Sequence, residues 1–177
     1  MTWTAFHTRG EVLRLVIEAA DAHVDGRLPT YINEVDETFR DANELLGALL
    51  LRWHTRLSGQ IDHEMAAEPM DLEAAVVTAW RKTAMELPGI RAIIDRHRDA
   101  PLDYDMALMI AKAVDKEHLL LAYMAGQGAN HPACLVVGAR IEARAQAAYA
   151  EAKAAAHAEK RPEQHPLLRK LKAALAA

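Results

Sequence analysis

Between residues 34 and 67, apolar side chains recur in three- and four-residue steps: Val35, Phe39, Ala42, Leu46, Leu50, Trp53, Leu57 and Ile61. That period belongs to one face of an α-helix, whereas a strand alternates every two residues. The other apolar segments repeat the helical period, and no stretch alternates in the β manner. With no strands to form a sheet, each stripe has only another helix to pack against.

Thr8-Arg9-Gly10-Glu11 has the pattern of a capping box. It predicts a first helix starting at Thr8, carrying Val12, Leu13, Val16, Ile17 and Ala20, and stopping at Asp25-Gly26. Asn33 is expected to cap the second helix, over 34–67, and Pro69 to end it. Asp71 caps a third helix over 72–87. Pro88-Gly89 breaks the chain before a short fourth over 89–98, and Pro101 separates this from a fifth over 103–126. Gly126-Gln127-Gly128 stops the fifth, and Asn130 caps a sixth whose inner face holds Cys134, Val137, Gly138, Ile141 and Ala145.

Ten of the sixteen residues from 143 to 158 are alanine. Alanine favours helix but has little side chain to bury, so this arm either projects from the core or packs closely on a neighbour. After Arg161-Pro162, residues 166–175 form an amphipathic tail helix. Leu167, Leu168, Leu171 and Leu175 occupy one face, and Arg169, Lys170 and Lys172 the other. The expected fold is all-α: a bundle of about six main helices with an Ala-rich C-terminal arm and a short basic tail helix. It reads as one domain, with a core over 1–142 and the arm and tail over 143–177. Leu45–Leu51 is apolar almost all round, so the middle of the long helix is either central in the bundle or shared between subunits. A homo-oligomer, most simply a dimer, is expected.

Bulk properties narrow the function classes. A net charge of −4 makes no case for nucleic acid. The single cysteine, Cys134, forms no internal disulfide, which points to a reducing, cytoplasmic setting. The N-terminus lacks the pattern of a signal peptide, and no apolar run reaches the roughly 18 residues needed to cross a bilayer.

The anomaly lies in the fifth helix. Met106, Ile110, Val114, Leu121 and Met124 define its stripe, Glu117 falls within that stripe, and His118 flanks it. A carboxylate on a core face is costly unless it is paired or metal-bound. One reading sets Glu117 and His118 in a polar site inside the bundle. The other places Glu117 at the solvent edge, or against an arginine such as Arg14 or Arg52. His54 flanks the long stripe, His97 shares a face with three isoleucines, and Glu73 leans inward from the first turn of the third helix. These five residues come from four helices, and carboxylate and imidazole ligands on facing helices are how bundles hold iron, manganese or zinc. The paired Glu-x-x-His motifs of di-iron bundles are missing. The nearest match, Asp115-x-x-His118, has aspartate and no second copy. His-Glu-x-x-His, cysteine pairs and Gly-rich phosphate loops are also absent.

Two functional expectations follow. The first is a non-enzymatic interaction or scaffold protein that binds itself or another protein through its C-terminal arm and tail. The second is a metal- or small-ligand-binding bundle, with redox or hydrolytic chemistry, holding a single iron, manganese or zinc on Glu117, His118, His54, His97 and Glu73.

Overall fold

A computed structural model describes residues 3–128 and 131–160. The tail helix expected over 166–175 and the cap expected at Asn130 lie outside the described residues. The fold is all-α, with helices α1 (Trp3–His23), α2 (Val35–Thr38), α3 (Ala42–Met65), α4 (Leu72–Glu86), α5 (Pro88–Asp99), α6 (Tyr104–Met124) and α7 (His131–Lys160). Among the described residues, no helix is long and apolar enough to cross a membrane.

Two boundaries differ from the sequence reading. The first helix begins at Trp3, so Thr8 lies inside it and is not its cap. The long second helix is broken: α2 ends at Thr38, Phe39 is extended, and α3 starts afresh. Asp41 caps α3 by accepting from the backbone N–H of Glu44, and the Glu44 carboxylate accepts from the N–H of Arg40. This reciprocal bonding satisfies free N–H groups at a helix start. Val35 and Phe39 are buried in the same core as the α3 leucines, so apolar spacing runs across the break unaltered. The cap expected at Asp71 is present, and Asp103, expected as the first residue of the fifth helix, caps α6 instead. Asp71 accepts from Ala74 N–H, and Asp103 from Met106 N–H.

Helices α3, α4, α6 and α7 pack against one another around the core. Antiparallel α3 and α4 are tied by Arg56–Glu86 and Lys82–Glu64. α7 runs parallel to α4, with Arg140 and Arg144 on Glu73 at one end and Tyr149 edge-on to Trp80 further along. α6 is antiparallel to α7 and parallel to α3, which it meets at Asn43–Asp103 and Trp53–Glu117. α5 connects α4 to α6 and lies against α1. There Asp21 accepts from Gly89 N–H at 2.8 Å, and a side chain at position 89 would overlap the Ala20 backbone.

The core joins Val16, Leu46, Trp53, Trp80, Ile90, Met106, Leu121 and Ile141, all fully enclosed. Of the apolar run in α3, Leu45, Leu46, Leu49 and Leu50 are buried, whereas Leu51 is 69% exposed. The first turns of the alanine arm pack closely, with Ile141 and Ala145 fully buried.

Candidate functional site

Glu117 is buried at the meeting point of α3, α4 and α6. Its Oε2 accepts from Trp53 Nε1 at 2.8 Å, and its Oε1 from Trp80 Nε1 at 2.7 Å. Each carboxylate oxygen thus receives one indole N–H in a buried setting, where such a bond is strong and an unmade one is costly. The two indoles meet edge to face, with centroids 5.5 Å apart. The Arg91 guanidinium lies 5.0 Å from the Trp53 ring centroid and 5.5 Å from that of Trp80. Arg91 is 2% exposed and donates to Asp95 at 2.5 Å. A cation over the faces of both rings polarises the indoles whose N–H groups bind the carboxylate. The partners of Glu117 are therefore two tryptophans, in place of Arg14 or Arg52. Arg14 pairs with Glu18 on the surface of α1.

His118 belongs to a second cluster. Gly138 on α7 meets its backbone so closely that a Cβ there would overlap the His118 carbonyl. One turn later Glu142 reaches the ring, and its Oε2 lies 2.7 Å from His118 Nε2. A carboxylate only accepts, so the Nε2 carries the proton. Arg98 donates to both oxygens of Glu142, at 2.8 and 3.1 Å. Burial pushes the Glu142 carboxyl up, but the His118 bond and the charges of Arg98 and Arg91 outweigh it, and its pKa falls below the ordinary value.

The remaining candidates are engaged apart from this pair. His97 is buried and its Nδ1 donates to the Ile93 carbonyl at 2.9 Å, one turn back on α5. Glu73 accepts from Gln127, Arg140 and Arg144 at the start of α4. His54 differs: its Nε2 is enclosed and has no hydrogen-bond partner among the described residues. Burial lowers its pKa, the Glu117 charge opposes this, and Lys116 and Arg91 lower it further; the net shift is downward. The ring is therefore neutral at pH 7. Among the described residues, no three His, Cys, Asp or Glu side chains gather as metal ligands would. Cys134 is buried, with its thiol toward the Gln127 carbonyl.

Six members of these clusters escaped the sequence reading: Trp53 and Trp80 as donors, and Asp95, Arg98, Arg91 and Glu142 as charges. Position offered a signal for the last two. Arg91 stands three residues before Ile94, on the same side of the fourth helix, and Glu142 lies one turn after Gly138.

Outside the clusters, a hollow surface runs between α3 and α6 and reaches α1 at Arg9, Gly10 and Leu13. Two adjoining depressions of about 860 and 630 Å³ share Gly47, Leu51, Asp105 and Met109. Leu108, Ala113 and Leu120 continue the apolar wall, and Lys112 and Lys116 stand at its rim. His54 borders this groove on the α3 side. Comparison with protein-family models, curated proteins and solved structures finds no match to this chain.

Proposed function

We propose that this chain is a non-enzymatic helical interaction protein whose contact surface is the α3–α6 groove. One observation carries the reading. The buried carboxylates already have hydrogen-bond partners, Glu117 in two indoles and Glu142 in His118 and Arg98, while Leu51 and Leu108, 69% and 42% exposed, line one continuous apolar hollow. Single exposed leucines are ordinary, but a rimmed apolar groove between two helices is a usual seat for a protein partner. A reducing, cytoplasmic setting suits this reading, because Cys134 is the sole cysteine. The C-terminal arm and the tail leucines, from Leu167 to Leu175, are its second contact element.

A photo-crosslinking side chain at position 51 tests it. Discrete adducts in extracts of the native host are expected, and Leu108→Asp should abolish them. A chain that gives no adduct from either position 51 or position 108 would sink the reading.

A second reading, a bound metal or small ligand, is favoured by one observation, the enclosed and partnerless Nε2 of His54. The other proposed ligand atoms already have partners: both oxygens of Glu117 hold indoles, and His118 Nε2 holds Glu142. Near-stoichiometric iron, manganese or zinc in purified protein, lost in His54→Ala, would support it. Protein that stays metal-free after reconstitution would remove it.

A further inference from the structure

We propose that the occupant of the α3–α6 groove is a second copy of this chain, seated about a two-fold axis with α6 antiparallel to its counterpart. This rests on the groove being a contact surface and names what fills it. At about 100° per residue, Asp105, Met109, Lys112 and Lys116 fall within roughly 60° of one another on α6. The acid stands at the start of this stripe and the lysines toward its end. A two-fold axis between Met109 and Lys112 sets Asp105 opposite Lys116 of the second copy, and Met109 against the aliphatic stem of Lys112. A parallel arrangement in register would bring like charges together, which opposes association.

None of the ion pairs among the described residues engages Asp105, Lys112 or Lys116, so all three charges remain free for a facing surface. On either side of the stripe, Leu51 and Leu108 supply the apolar area that a charge pair alone lacks. Self-complementarity also favours a second copy over the chain's own tail. The tail sequence is basic, with Arg169, Lys170 and Lys172, and the groove already carries Lys112, Lys116 and Arg52. A cationic segment laid along the two lysines meets like charge, whereas an inverted copy of the same stripe meets its opposite.

Sedimentation equilibrium of the full chain tests this, with circular dichroism to check that each variant is folded. Wild type should sediment at twice 19.6 kDa. Asp105→Lys and Lys116→Asp should each weaken the dimer by about tenfold or more, since each turns two attractive pairs into repulsive ones. Both positions are exposed, so folding should be unaffected. Mixing the two single variants should restore association, because every facing pair is then opposite in sign. Combining both reversals in one chain should restore it too. Three results would overturn the proposal: a wild type that stays monomeric, a dimer indifferent to either reversal, or reversals that no mixture rescues. A chain that dimerises only after residues 161–177 are removed would assign the groove to the tail and also overturn it. Crosslinks from position 51 to a protein of different mass, with monomeric wild type, would retire the second copy and leave the interaction reading standing.

Discussion

The indole N–H of Trp53 and a carboxylate oxygen of Glu117 stand 2.8 Å apart, joining α3 to α6 across the core. With Trp80 on the other oxygen, Glu117 closes a contact among three helices. Its removal leaves two buried donors without an acceptor. Glu117→Ala should therefore cost about 3–5 kcal/mol of folding stability. Glu117→Gln keeps one acceptor oxygen and turns a donor toward the other indole, at about 1–2 kcal/mol. Urea unfolding followed by tryptophan fluorescence measures both, and equal stability of the two variants would contradict the assignment.

Arg91 acts through its shape as much as its charge. A flat guanidinium can lie over two ring faces while donating to Asp95, whereas an ammonium cannot reproduce that geometry. Arg91→Lys should lose about 1–2 kcal/mol. Asp95 is about half exposed, so Asp95→Asn should lose less than about 1 kcal/mol. A ranking in which Asp95→Asn is the more damaging change would show that the ion pair, and not the stacking, holds Arg91.

His54 should make stability depend on pH. Its folded pKa lies below the ordinary value of 6.5, chiefly through burial. The unfolded chain then binds more protons, so this contribution is complete above pH 6.5 and is lost as pH falls toward the folded pKa. Chemical denaturation from pH 8 downward should show the decline, and His54→Gln should flatten it. Glu142 is also depressed, so its contribution is held above the ordinary carboxylate value and lost only at lower pH, as the medium passes through its folded pKa. A His54→Gln profile that still falls around pH 6 would assign the effect elsewhere.

Gly138 sets the distance between α6 and α7. Gly138→Ala should separate the His118 and Glu142 elements and destabilise the fold by about 3 kcal/mol or more. Gly59, on the exposed side of α3, has nothing within 4 Å of a new Cβ. Gly59→Ala should stabilise by about 0.5–1 kcal/mol through helix propensity. Thermal melts of the two variants should move in opposite directions.

The helices were legible because their stripes and caps are local. Asp71 could be read as a cap before any packing was known, since an N-cap is decided within four residues. The break at Phe39 was not legible. Val35 and Phe39 pack into the same core as α3, so their spacing imitates a continuing helix, and Asp41 with Glu44 passes for ordinary helix surface. Glu117 could be identified as the misplaced charge of α6, but its partners are separated from it by 64 and 37 positions in the chain. Spacing along a helix shows which side chains point inward and does not show what waits there.

By itself, then, the sequence determined the class of fold: a three-and-four-residue period, absent β alternation and well-placed caps leave packed helices as the outcome. It also singled out Glu117, because burying a carboxylate always requires a partner. Only the tertiary structure decided that two indoles are that partner, with Arg91 over both, that Glu142 and not Glu117 holds His118, and that a groove stays open between α3 and α6. Those outcomes depend on which faces meet and at what distance. The decisive case is the close approach of Gly138 to His118, a relation between helices that neither stripe contains.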